Sequence, residues 1–323
     1  ILSNLSRNRG GLYGRLTCEI KLTPFTLKEC EDYFKNENIE MSRYDIVQSY
    51  MVFGGIPYYL SYFKKGMSFE GNADNILFGK NPRLKDEFNR LFNAIFSNPE
   101  DCKKIIRLLA KKHVGFTREE IAKETGLPFG GGLTDTLNAL VESDFIQRYR
   151  PYNVSGKVSF YKLIDNFSLF WLKYVEPNTE DINFMTDNMT SNIMRVWRGV
   201  AFEEVCWQHI GQIKRALGIS GVSSSISAWS VKGNDNKEGV QIDLLIIRND
   251  NVVNLCEMKF AGDIYSIDKE EDAKIRNRIQ TLINTLSPKQ SVHLTMITTY
   301  GVSHTMYGGR VQQQVILDDL FQS

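Results

Sequence analysis

The chain has 323 residues, 42% of them hydrophobic and 24% charged, which is an ordinary globular composition. That balance excludes a collagen-like repeat, a disordered tail and a coiled-coil rod. With 39 Lys and Arg against 38 Asp and Glu, the formal net charge is +1, so a nucleic-acid partner requires a local basic patch.

At about 100–200 residues per domain, the length predicts two or three domains. The first residue is Ile1, and the opening has no basic start, apolar run or small-residue cleavage site. It reads as the interior of a longer chain. Gly10, Gly11 and Gly14 loosen the start, residues 17–22 suit a strand, and Pro24 closes it. Residues 31–97 are predicted to be mostly helical, broken at Gly54-Gly55-Ile56-Pro57.

Residues 98–165 carry a denser pattern. Asn98 and Pro99 open a helix whose apolar face is Ile105, Ile106, Leu108 and Leu109. Thr117 followed three residues later by Glu120 is a capping box that opens a short second helix. A third helix follows Gly130, Gly131 and Gly132, with Leu133, Leu137, Leu140 and Val141 on one side. Residues 146–152 and 157–164 suit a hairpin. Three helices and a hairpin are the order of a winged helix-turn-helix. Between residues 98 and 164 there are eleven Lys and Arg against eight Asp and Glu, an excess of three positive charges. Arg148, Arg150 and Lys157 cluster at the wing and are the candidate phosphate contacts to DNA. The third helix has no Lys or Arg between residues 131 and 144, so sequence-specific readout has a weak basis.

Residues 166–323 start with a helical, aromatic-rich stretch in which Phe167, Phe170 and Trp171 read as core. A long helix is predicted near residues 195–217 and strands near 226–231, 241–247 and 252–260. A helix over 269–286 and strands near 292–298 and 311–316 complete an α/β unit, with a hairpin turning at Asn249-Asp250-Asn251. In the 269–286 helix, Lys274, Arg276 and Arg278 are either a solvated face or basic contacts to substrate. The expected boundaries are 1–97, 98–165 and 166–323.

The five cysteines form no CxxC pair and the four histidines are scattered, so neither a disulfide framework nor a zinc site is expected. The most apolar stretch, residues 167–175, is far short of a bilayer span. A cytoplasmic chain with no membrane partner is expected.

The chemical signal lies in two short segments. Asp243 sits in Gln241-Ile242-Asp243-Leu244-Leu245, and Glu257 and Lys259 in Leu255-Cys256-Glu257-Met258-Lys259. Side chains two apart on a strand share a face, so Glu257 and Lys259 point the same way. A hairpin brings Asp243 beside them. Two carboxylates hold Mg²⁺ together with several waters, and a lysine orients water or offsets charge on a phosphodiester. Glu203, with Glu204, adds an acid from the preceding helix. This order, a helical glutamate, then Asp243, then Glu257-x-Lys259, resembles the PD-(D/E)xK nuclease-like superfamily. The alternative is a charged strand face without catalysis.

Three further segments resemble the archaeal-type AAA+-like ATPases when taken together with the winged helix, Asp165-Asn166-Phe167 and Phe170-Trp171. They are Leu12-Tyr13-Gly14-Arg15-Leu16-Thr17, Leu22-Thr23-Pro24-Phe25 and Gly54-Gly55-Ile56-Pro57-Tyr58-Tyr59-Leu60. The resemblance implies the end of the ATPase core and a helical lid, then a winged helix, then a restriction-endonuclease-like α/β domain. The fold class expected is therefore multi-domain, α plus α/β. The resemblance also implies ATP binding and hydrolysis, but the chain holds no GxxxxGK followed by Ser or Thr. ATP is then expected only in the context of a longer parent chain. Arg15 would be an arginine finger or sensor there, or else a surface arginine. The functional expectation is the C-terminal part of a DNA-associated ATPase. The alternatives are a Mg²⁺-dependent DNase acting through Asp243, Glu257 and Lys259, or a non-catalytic scaffold for protein partners or self-association.

Overall fold

The computed structural model describes residues 18, 20–152, 158–178, 180–231, 233 and 239–322. The first helix, α1 (Leu27–Asn36), starts at a capping box in which the Glu29 side chain accepts the Thr26 amide at 2.7 Å. The second, α2 (Arg43–Phe53), is capped by Ser42, and every residue from Ile46 to Phe53 is buried. It stops at Gly54, whose φ of 63° lies where glycine is favoured. The Phe25 amide then donates to the Gly55 carbonyl at 2.7 Å and seals the break that the sequence predicts. Next come α3 (Pro57–Leu60), α4 (Phe69–Ala73), a π turn (Asp74–Phe78) and α5 (Glu87–Ile95). The suggested strand over 17–22 does not form in its described part. Cys18 and residues 20–22 pair with no strand, and Ile20 and Leu22 stay exposed. Thr17 and Glu19 lie outside the described residues.

The next segment runs α6 (Pro99–Leu109), β1 (Phe116–Thr117), α7 (Arg118–Thr125), α8 (Gly131–Glu142), β2 (Ile146–Tyr149) and β3 (Phe160–Leu163). Its sheet is antiparallel in the order β1-β3-β2. Helices and hairpin stand where the sequence places them, with β1 as an added edge. The suggested turn at residues 153–156 lies outside the described residues.

After α9 (Asn166–Phe170), a π turn (Trp171–Val175) and α10 (Phe184–Asn188), two helices replace the single long one expected. These are α11 (Asn192–Gln208) and α12 (Ile210–Ala216). The break falls at His209, whose φ and ψ of −110° and 29° are not helical. Its Nδ1–H donates to the Val205 carbonyl at 2.8 Å, and its Nε2 accepts the Leu27 amide at 3.1 Å. Burial pushes its pKa down to about 4, so the ring is neutral and can accept that bond.

The larger sheet contains β4 (Ser224–Val231), β5 (Val240–Arg248), β6 (Val252–Lys259), β7 (Ser291–Thr298) and β8 (Gln313–Ile316), in that order. β4, β5 and β6 are antiparallel neighbours, whereas β6, β7 and β8 are parallel. The crossover from β6 to β7 is α13 (Lys269–Ile283). Parallel strands need such a connection, and a helix covers the sheet face that it crosses. Leu245, Leu255 and Met296 pack with Ile275 and Leu282 of α13. Leu244, Ile246, Cys256 and Ile297 join the other core, which contains α11 and extends from Leu27 to Phe321. That core also holds the helices of residues 27–97 and the small sheet. The arrangement is mixed α and β with two sheets. No helix among the described residues is long and apolar enough to cross a membrane.

Candidate functional site

Glu257 and Lys259 point from β6 toward α13, as period-two alternation requires. There Lys259 Nζ lies 2.8 Å from Glu271 Oε1, and Arg278 donates to Glu257 Oε2 at 3.2 Å. Glu271 and Arg278 are two turns apart on one face of α13, so one helix serves both strand residues. Arg278 also donates through Nε to the Gln241 carbonyl at 3.2 Å. The sequence leaves Arg278 as either part of a solvated face or a basic contact to substrate, and neither describes its contact with Glu257. The i, i+7 spacing from Glu271 was the available signal for its actual role. Lys274 and Arg276 do not join the site and pair with Glu270 and Asp272.

Asp243 sits where the β4–β5 register slips, between the pairs Ser227–Leu245 and Trp229–Ile242. Such a bulge re-aims side chains near it. Trp207 of α11 donates its indole N–H to the Asp243 carbonyl at 2.9 Å, and Gln241 donates to Asp243 Oδ1 at 2.5 Å. Glu204, one residue after Glu203 on α11, is buried against Lys162 of β3 at 2.8 Å. The ammonium of Lys162 lies 4.3 Å from the Trp207 ring centre. The small sheet therefore reaches the candidate site through Lys162.

The electrostatics join these elements. Burial lifts the Glu203 carboxyl to about 8, with Asp243, Glu204 and Glu257 adding to the rise and Lys162 opposing it. Burial lifts Glu257 to about 7 against the opposing charges of Arg278 and Lys259, with Glu271 and Asp243 adding to it. The charge of Asp243 thus acts on both carboxyls. For Lys259, burial is the largest single effect and opposes the charge, but the bond to Glu271 together with the charges of Tyr265, Glu271 and Glu257 exceeds it and the pKa is raised. Lys259 is held protonated, which favours offsetting charge over accepting a proton.

Among the described residues, no hydrogen bond reaches Asp243 Oδ2 or Glu257 Oε1, and no hydrogen bond or ion pair reaches the Glu203 carboxyl. No three His, Cys, Asp or Glu side chains there form a group able to cage a metal ion.

The wing residues separate. Arg148 and Arg150 are exposed, and Lys157 lies outside the described residues, as does Arg15. Ser227 of β4 donates to the Arg150 carbonyl at 2.8 Å, and the Tyr152 amide donates to Ala228 at 3.0 Å, so the hairpin is fastened to the large sheet. Arg148 shares an open cleft with Arg118 and Phe129. The Arg118 guanidinium lies 4.1 Å from the centre of the exposed Phe129 ring, an arrangement the sequence reading missed. Lys162, counted in the basic excess of this segment, is buried and paired rather than available to phosphate.

The stability that Glu203 and Glu257 contribute is expected to fall as pH rises from about 4.5 to about 8, while His209, held down to about 4, acts in the opposite direction below 6.5. An ordinary glutamate loses its proton near 4.5, but Glu203 and Glu257 keep theirs to about 8 and about 7 in the native state. At both carboxyls the native state therefore binds more protons across that window, and raising the pH favours unfolding. Thermal midpoints of the protein and of Glu203→Gln across that range check this. The variant should show a shallower fall, and identical profiles would contradict the assignment.

No family model matches the chain. It is 28% identical over 245 residues to a protein of Methanocaldococcus jannaschii described only as uncharacterized, an alignment covering 74% of this chain and 52% of that protein. The chain thus spans about half the length of the curated relative it matches.

Proposed function

We propose that the chain is the DNA-associated C-terminal part of an archaeal-type AAA+-like ATPase, and that its large sheet carries a divalent-cation-dependent phosphodiesterase site. In this reading residues 98–165 are a winged helix, and β4–β8 with α11 and α13 are a restriction-endonuclease-like domain. The observation that carries it is Glu257 and Lys259 side by side on β6, both engaged by α13, with the charge of Asp243 acting on Glu257 and on Glu203. Asp243 and Glu257 would hold Mg²⁺, which when bound neutralises charge on phosphate oxygens. Glu203, whose carboxyl is raised to about 8 and has no hydrogen bond or ion pair among the described residues, is assigned proton acceptance from an attacking water once it is ionised. Lys259 faces the negative charge that develops as the P–O bond breaks. Arg148, Arg150 and Lys157 contact DNA phosphates outside the reacting bond. ATP belongs to the parent ATPase, with Arg15 acting toward its phosphates.

The chain should nick supercoiled plasmid with Mg²⁺ or Mn²⁺. Asp243→Ala and Lys259→Ala should each lower the rate at least about 100-fold, the scale of losing one electrostatic stabiliser. Absence of cleavage by the folded chain with either metal defeats the nuclease part. The residues would then read as a scaffold in which Glu257–Arg278 and Lys259–Glu271 are structural pairs.

A further inference from the structure

A cavity of about 570 Å³ opens where α6, α9 and α11 meet. Its size falls in the range of small-molecule sites, roughly 300–1,000 Å³. Arg107, Lys111, His113 and Lys173 contribute to its walls, and no Asp or Glu does among the described lining residues. The polar groups are set beside apolar ones, with Leu172 and Val200 half-buried and Leu169 and Trp197 buried behind them.

The positive charge here is poorly compensated. Arg107 is the exception, clasped by Glu176 through two bonds of 2.6 Å. Among the described residues, no carboxylate pairs with Lys111 or Lys173. Instead Lys173 lies beside the rings of Tyr174 and Trp197, at 5.4 and 5.9 Å from their centres. Trp197 is 1% exposed, and its indole N–H has no acceptor. A buried donor without a partner is costly, as is a cluster of like charges, and an anion relieves the second and can relieve the first. Burial holds Lys173 below the usual lysine range. Burial holds His113 below its own range as well, helped by the charges of Lys162 and Lys173.

We infer that this cavity binds an organic phosphate, with the phosphoryl group between Lys111, Lys173 and His113 and the apolar body of the ligand against Leu172 and Val200. A bare inorganic anion leaves the apolar wall unused, whereas a nucleotide covers both parts. The cavity adjoins the carboxylate site. His113 senses the charge of Asp243, and Val200 in its wall lies one helical turn before Glu203 and Glu204. The ligand is therefore either a free mononucleotide or the phosphorylated end of a nucleic-acid strand. Binding does not depend on cleavage at Asp243.

Calorimetric titration of the whole chain in EDTA tests this, using adenosine monophosphate, a 5′-phosphorylated oligothymidylate and its 5′-hydroxyl counterpart. At least one phosphorylated probe should bind saturably, and the 5′-hydroxyl oligonucleotide should bind at least about tenfold more weakly than its phosphorylated form if the strand end is the ligand. Tighter mononucleotide binding would identify the free nucleotide as the ligand instead. The double substitution Lys111→Ala with Lys173→Gln should weaken the preferred probe about tenfold or more at an unchanged melting temperature. Trp197→Phe, which keeps a ring but removes the N–H, should weaken it as well. No saturable binding of either phosphorylated probe overturns the inference, and so does wild-type affinity in the lysine double variant. Because metal is absent, a dead carboxylate site leaves these outcomes unchanged.

Discussion

Lys162→Ala should destabilise the protein by about 3–5 kcal/mol, the scale for stripping one partner from a buried ion pair. The Lys162 and Glu204 side chains are 6% and 2% exposed, and their charged atoms lie 2.8 Å apart. Glu204 Oε2 has no hydrogen-bond partner, so the lysine is the main compensation for that carboxylate. Burial already pushes the Glu204 carboxyl upward against the effect of Lys162. Without the ammonium it must either take up a proton or remain charged in an apolar setting. The double variant Lys162→Met with Glu204→Leu should recover most of the loss, because no charge then stays buried. Urea denaturation of the three proteins measures both effects. A loss below about 1 kcal/mol for Lys162→Ala would show that the pair is not a structural tie. The change should also reach the site: Lys162 opposes the upward displacement of Glu203, so its removal raises that pKa further. Any cleavage dependent on ionised Glu203 would then need a higher pH.

Gly115→Ala should cost about 1–2 kcal/mol from its left-handed backbone alone, with more from collision. Gly115 has a φ of 74°, and a Cβ there would lie 2.0 Å from the Tyr161 carbonyl oxygen and 3.0 Å from the Lys162 Cα. Neither neighbour is the end of a flexible side chain. To relieve the contact, β3 must move away from β1, which pulls Lys162 from Glu204. The variant should therefore lose stability and perturb the same interface that Lys162→Ala perturbs. Gly126→Ala is the matched comparison, since Gly126 has a φ of 70° but nothing within 4 Å of an added Cβ. Thermal unfolding of both variants separates the contributions. If Gly115→Ala loses no more than Gly126→Ala, the close approach of β3 has no energetic consequence.

Much of the larger sheet is legible from local pattern. Long β-branched and apolar runs mark β5, β6 and β7, and Asn249-Asp250-Asn251 marks the turn between the first two. Asn251 indeed takes a positive φ of 66°, which Asn tolerates better than most residues. Alternation alone places Glu257 and Lys259 on one face. By contrast, the register slip beside Asp243 depends on how β4 meets β5, and neither strand announces it. The break between α11 and α12 is equally hidden, because residues 195–217 keep a helical pattern throughout. It arises from bonds that His209 makes to Val205 and to Leu27, near the other end of the chain.

By itself the sequence determined the strand and helix segments, the break at Gly54 and the side-by-side placement of Glu257 and Lys259. Those follow from spacing along one segment, where side-chain direction repeats every two or every 3.6 residues. Only the tertiary structure decided which charges meet. It gave Arg278 to Glu257, Glu271 to Lys259 and Lys162 to Glu204, while no carboxylate among the described residues pairs with Lys111 or Lys173 around a cavity. Pairing and burial depend on contacts between segments far apart in the chain, and burial sets the strength of a charge interaction as much as distance does. The near-neutral total of 39 basic and 38 acidic side chains therefore conceals an acidic neighbourhood beside a basic one.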